Sequence, residues 1–197
     1  MRTWWKAVGI PLMFLLAGGC STAPVRPGPV VVPRPSPPRS PQELAEQLGA
    51  ADAPSRAAAA WSLAGAGDVD ETIIRALRLV LDDADATVRE AATWALSHVK
   101  NPGFDPRELT DSPPRVLVQT KPIYPRAAYD QKIEGVVLVD FLINELGRVS
   151  HVQIRRSLPG LDEAALACIR AWQFEPAKRS GRPVAIVAQA PVTFRIY

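Results

Sequence analysis

From Gly135 onward the chain alternates between apolar and polar positions. In GVVLVDFLIN, Val137, Val139, Phe141 and Ile143 fall on one face of a predicted strand. ELGR, residues 145–148, supplies a turn in which glycine can take positive φ. VSHVQIRRS returns as a second strand, with Val152 and Ile154 inward and His151, Gln153 and Arg155 outward. The period then changes. In LDEAALACIRAWQF, Ala165, Cys168, Ile169 and Trp172 recur at helical spacing, and Asp162 and Glu163 suit a helix N-terminus. EPAKRSGRP stops this helix. VAIVAQAPVTFRIY reads as a final strand, with Val192, Phe194 and Ile196 on one side and Thr193, Arg195 and Tyr197 on the other. Upstream, Pro125 in KPIYPRAAYDQKIEG starts a short helix, Tyr124 is its packing anchor, and Gly135 releases the chain into the first strand.

The element order is therefore helix, strand, strand, helix, strand. The hairpin strands are antiparallel. A right-handed crossover helix sets the third strand beside the first, so the predicted sheet order is 2-1-3 with both helices on one face. The third strand becomes an edge, which Pro191 tolerates because proline lacks a ladder donor. The fold class expected is α+β, a small three-stranded antiparallel or mixed sheet with two helices, preceded by an all-helical segment.

That segment, residues 42–100, is rich in alanine, leucine and acid, with Pro54 its single proline. DAPSRAAAAWSL (52–63) and DATVREAATWAL (85–96) align at a 33-residue offset with seven of twelve positions identical. Such a period predicts stacked helix pairs. Each copy follows a more variable helix, PQELAEQLGA or DETIIRALRLVLDD; in the second, Ile73, Ile74, Leu77, Val80 and Leu81 share a face. The pattern resembles HEAT repeats, in which Asp-x-x-x-Arg opens the second helix of each pair, here Asp52 and Arg56, then Asp85 and Arg89. Each Asp serves as an N-cap. Trp61 and Trp94 occupy matching positions and are expected to pack rather than to form a ligand platform. Two repeats leave faces uncovered, and the following domain or a partner is expected to cover them. Charge agrees: residues 42–110 carry six bases and twelve acids, residues 111–197 twelve bases and eight acids.

Residues 7–19, AVGIPLMFLLAGG, follow a basic start. They are too few to span a hydrocarbon core of ~30 Å and suit an export signal. LLAGGC then resembles a lipobox, so residues 1–20 read as a lipoprotein signal peptide with Cys20 acylated, palmitate included. Ser21 favours the outer membrane over the inner. In residues 24–41 eight of eighteen residues are proline, and 21–41 read as an extended proline-rich spacer. Residues 101–113 read as a linker and 114–197 as the last domain. The net charge of +3 falls to +1 without Arg2 and Lys6, and no basic stripe is interleaved with aromatics, so nucleic acid is not an expected partner. With Cys20 acylated, Cys168 stands alone and is expected to be buried in its helix.

P-x-YP-x-x-A, EG-V-V, F-x-IN-x-x-G-x-V, I-x-x-S, LDEAAL, AW-x-F-x-PA, G-x-P-V and a closing V-x-F run in register over residues 112–197. Together they resemble the C-terminal domain of the TonB family. The resemblance implies binding by strand addition: a short TonB-box-like peptide of an outer-membrane transporter joins the sheet along the last strand. Carried onto this chain, the peptide-binding positions are Val184, Ile186, Val187, Gln189, Pro191, Thr193 and Arg195. The function implied is support or regulation of TonB-dependent transmembrane transport from the periplasmic side of the envelope. Residues 7–19 hold no histidine or acid, so proton-motive energy transduction by this chain itself is not expected. The alternative is an envelope scaffold that pairs the same edge with another envelope protein or with itself as a homodimer. His98 and His151 fit no metal-ligand spacing, and no nucleophile elbow, phosphate loop or CxxC is present. No catalytic residue, metal or cofactor is therefore expected, and the chain does not read as an enzyme.

Overall fold

A computed structural model describes residues 40–100 and 106–196; the signal region, Cys20 and most of the spacer lie outside the described residues. The helical segment contains α1 (Pro41–Gln47), α2 (Ala53–Leu63), α3 (Glu71–Leu79) and α4 (Ala86–His98). α1 begins within the range read as spacer. Ser40 and Glu43 form a reciprocal capping box there, and Pro41 takes the first turn, where no amide donor is needed. Asp52, Asp70 and Asp85 cap the other three helices, accepting from the amides of Ser55, Ile73 and Thr87. Each such cap is worth about 1 kcal/mol. Leu63, Ile73, Ile74, Leu77, Val88 and Ala91 are fully or almost fully buried in one core. The small residues of α2 and α4 let these two helices pack closely along their lengths.

The repeat is visible in its hydrogen bonds. Arg56 Nη1 donates to the carbonyls of Ala50 and Ala51, while its Nε and Nη2 grip Asp83 at 2.8 and 2.9 Å. Thirty-three residues on, Arg89 Nη1 donates to the carbonyls of Asp83 and Ala84. Its carboxylate partner comes from the other domain: Nε and Nη2 grip Glu145 at 2.6 and 2.7 Å. Asp83 stands one repeat beyond Ala50. A third repeat would offer its acid at the equivalent place, and the sheet domain puts a turn glutamate there instead.

The second domain contains β1 (Arg115–Val118), α5 (Arg126–Asp130), β2 (Gly135–Ile143), β3 (Val149–Arg156), α6 (Asp162–Arg170), β4 (Gln173–Glu175), β5 (Ala177–Arg179), β6 (Arg182–Val184) and β7 (Ile186–Phe194). Its main sheet has the order β3-β2-β7, with β2 antiparallel to both neighbours. This is the 2-1-3 arrangement read from the sequence. Val137, Val139, Phe141 and Ile143 are buried against the helices, with Ala165, Cys168, Ile169 and Trp172 opposite them. Cys168 is buried; its Sγ donates to the Thr120 carbonyl, which also accepts from Trp172 Nε1. Tyr124 anchors the entry to the domain, donating its hydroxyl to the Ile133 carbonyl and meeting Phe194 edge-on at 5.5 Å. Burial holds the Tyr124 phenol above its ordinary pKa.

Four short strands were not legible in the sequence. The helix predicted through Phe174 ends at Arg170, and residues 173–175 become β4, antiparallel to β1. The cause is tertiary. The Phe174 amide donates to the Gly147 carbonyl at 2.8 Å, and its ring lies 5.8 Å from that of Phe141. β5 and β6 form a hairpin across the stretch read only as a helix stop and Val184, read as the start of the last strand. The last residues of the segment between the domains are pinned to both: Leu109 joins the helical core, and Thr110, Asp111 and Ser112 hydrogen-bond the Lys178 carbonyl or Ser180 amide of that hairpin.

Candidate functional site

β7 is the element on which the predicted binding residues converge. It pairs with β2 over nine residues without a register shift, from Gly135↔Phe194 to Ile143↔Ile186. Among the described residues no strand pairs with its other side. Alternation sends Ile186, Ala188, Ala190, Val192 and Phe194 toward α5 and α6. Val187, Gln189, Pro191 and Thr193 share the opposite face. Gln189, Pro191, Thr193 and Arg195 are exposed, and Val187 is half-buried. Two of the predicted positions are not on this strand: Val184 ends β6 and pairs with Ala177 of β5, and Arg195 follows Phe194, the last residue of β7. Cys20 lies outside the described residues.

The face carrying Val187 and Gln189 is not open along its whole length. α4 lies against β7 and covers the end of the sheet near the β2–β3 turn. Leu142 is fully buried there, although it points away from α5 and α6. Asp140, two residues along on the same face, is only 5% exposed. An isolated buried carboxylate would be costly, so it must be paired. Gln189 Nε2 donates to its Oδ1 at 2.7 Å, while Oδ2 faces Arg155 Nε at 3.4 Å and His98 Nε2 at 3.6 Å. The bulge between Leu138 and Val139 against β3 leaves Arg155 as the extra residue that reaches back to this site.

Both histidines of the chain meet in this interface. The His98 ring stacks on Trp94 at 4.1 Å, and His151 lies 4.4 Å from Trp94 and 4.7 Å from Trp61. The matched tryptophans of the two repeats thus hold an imidazole from the sheet. The sequence reading placed His151 and Arg155 outward but had no means of knowing that a helix lies over them. One signal for Asp140 was present: a lone acid inside the apolar run GVVLVDFLI.

Acid should weaken this interface. Burial first, and then the charge of nearby His98, hold His151 below its ordinary pKa of 6.5. The folded protein thus binds that proton less readily than the unfolded chain. Stability is full above pH 6.5 and falls as pH drops from there toward the lowered folded pKa. Trp61, Trp94 and His98 face this ring, with Asp140 and Arg155 beyond His98. Asp52, Asp83 and Asp85 are held below the ordinary 3.8 by hydrogen bonds from Ser55, Arg56 and Thr87 respectively, and lose their contribution only below about that pH. Denaturant midpoints should therefore fall between pH 7 and pH 5, and His151→Phe should flatten that slope. An unchanged slope in the variant would reject the assignment.

The second domain is thus an α+β module whose sheet has helices on one side, a helical repeat pair on part of the other, and a free edge at β7. Residues 120–196 match the family described as Gram-negative bacterial TonB protein C-terminal, and residues 41–110 match HEAT repeats. Residues 120–196 form a TonB C-terminal domain, preceded by HEAT repeats. Protein TonB of Vibrio cholerae is 34% identical over 90 residues, covering 45% of this chain and 37% of that protein. Protein TonB of Pseudomonas aeruginosa is 34% identical over 96 residues, covering 48% and 28%. Protein TonB of Escherichia coli is 38% identical over 69 residues, covering 34% and 29%. The match therefore spans about a third of the length of these relatives. The solution NMR structure of Pseudomonas aeruginosa TonB CTD, 36% identical, covers 45% of this chain and 91% of that one with a TM-score of 0.38. Among the described residues no helix is long and apolar enough to cross a membrane.

Proposed function

We propose that this protein is a lipid-anchored component of the cell envelope that supports TonB-dependent transport by receiving a partner strand along β7. The observation that carries this reading is the nine-residue edge, regular throughout and without a second strand partner among the described residues. Main-chain hydrogen bonds along such an edge supply affinity, and alternate side chains supply specificity. The resemblance to the TonB family supports an outer-membrane transporter segment as the guest. Gln189, Pro191, Thr193 and Arg195 are the exposed positions on or directly after β7.

Titrating a transporter's periplasmic box peptide into the full chain, with amide chemical shifts as readout, should move the amides of β7 before those of β3. No shift along β7 at millimolar peptide would reject strand addition. The anchor is a separate claim, carried by LLAGGC. Radiolabelled palmitate should enter the wild type in a bacterial host and be absent from Cys20→Ala. Equal labelling of both would reject it.

A further inference from the structure

The edge of β7 and the helical repeats are not independent. Arg89 holds the β2–β3 turn through Glu145. Arg89 and Thr93, one turn further along α4, line a small void with Leu109, Val184 and Ala185, immediately ahead of β7. Ala185 is only 5% exposed. Trp94 meets His151 on β3. His98, at the end of α4, reaches the same carboxylate that Gln189 of β7 holds. Along its length, α4 follows the chain from Val184 at the end of β6 to the level of Gln189 on β7. The ladder capacity of Val184 is already used by Ala177. Beyond Gln189 the surroundings change. Pro191, Thr193 and Arg195 are exposed, as is Val136, the register partner of Thr193. Ile123, 86% exposed, precedes the Tyr124 that packs on Phe194 at this open end.

Accepting strand addition as the function of β7, we infer that the HEAT pair sets the length and register of the strand this protein receives. Docked, it leaves Ala190 to Phe194 of β7, and Arg195 directly after it, as the receiving edge. That is room for a partner of about six residues, one per receiving position. The partner's side chains on the α4 side meet Pro191 and Thr193, with Val136 and Leu138 on the next strand. A hydrophobic or β-branched residue suits those positions, and the rest of a longer partner is turned away by α4. Undocking the helices extends the edge back to Ile186. The repeats are then a regulator of the site, and whatever loosens the Arg89–Glu145 and His98–Asp140 contacts lengthens it.

The test uses the full chain and a ten-residue probe peptide of alternating valine and threonine with an aspartate at each end. Amide shifts are followed in the wild type, in Glu145→Arg, which faces Arg89 with a like charge, and in His98→Glu, which faces Asp140 with one. The two variants open the interface through different contacts, and retained dispersion of the β2 amides shows that the sheet is folded. In the wild type the shifts should be confined to Ala190–Arg195. In both variants they should extend to Ile186, with about tenfold tighter binding from the added ladder bonds. Shifts from Ile186 to Arg195 in the wild type would overturn the inference while leaving strand addition intact. Shifts confined to Ala190–Arg195 in folded variants that have undocked would also overturn it. No shift on β7 in any of the three proteins would overturn strand addition itself, and this inference with it.

Discussion

Gly147→Ala is expected to lower the thermal midpoint of the folded unit by about 10 °C. Gly147 sits in the β2–β3 turn at φ +74°. A Cβ there would lie 1.8 Å from the Phe174 carbonyl oxygen and 2.9 Å from its carbon. These are backbone atoms, so no rotamer change relieves the clash. The turn can move only by breaking the Phe174 amide to Gly147 carbonyl bond and the bridge between Arg148 and Gln173. Phe174 would move with it, away from Phe141 and Trp172. Left-handed backbone alone costs an alanine roughly 1 kcal/mol, and lost packing and hydrogen bonding bring the sum to about 3–4 kcal/mol. For a unit of this size that is the stated shift. Gly181, at φ +77° with nothing within 4 Å of the place a Cβ would take, isolates the backbone part. Gly181→Ala should cost about 1 kcal/mol. Similar midpoints for the two variants would refute the clash argument.

Arg89→Ala should separate the domains, whereas Arg56→Ala should not. The two arginines make the same pair of carbonyl contacts and the same two-pronged carboxylate grip. They differ in where the carboxylate resides. Removing Arg56 loosens α2 from the loop before α4, within one domain. Removing Arg89 frees Glu145 and the β2–β3 turn. Charged hydrogen bonds of this kind contribute about 2 kcal/mol net, and much of that is docking energy here. Amide exchange at Leu142 and His151 should accelerate in Arg89→Ala and stay near wild type in Arg56→Ala. Coupling measured with Glu145→Ala should be about 1–3 kcal/mol. Equal exchange in the two arginine variants would show that the turn docks without this pair.

These predictions mark the limit of what local pattern conveys. The alternation of Val137, Val139, Phe141 and Ile143 was readable because a strand repeats every two residues, and the stripe Ala165, Cys168, Ile169, Trp172 because a helix repeats every 3.6. Caps at Asp52 and Asp85 were readable because an N-cap needs only its own next turn. β4 was not, because residues 173–175 continue a helical pattern and are pulled into a strand by the Gly147 carbonyl. Within the candidate site, Gln189, Pro191 and Thr193 were legible as strand positions facing away from the helices, whereas Arg195 lies one residue beyond the strand. Val184 was grouped with them because a run of alternating residues does not reveal that one ladder ends and another begins at Ala185.

By itself, then, the sequence determined the helical repeat, the hairpin and crossover, the order of the three main strands and the edge position of the last one. Each follows from periodicity, turn chemistry or the handedness of short connections. Only the tertiary structure decided what lies over the polar face of the sheet. Periodicity states which face of an element is apolar, but it is silent about the polar face, since polar residues suit water and a polar interface equally well. The Asp140, Arg155 and His98 group, His151 between two tryptophans, and Glu145 in the place of a third repeat's acid are products of docking between segments some fifty residues apart, and that docking defines how much of β7 is left to receive a partner.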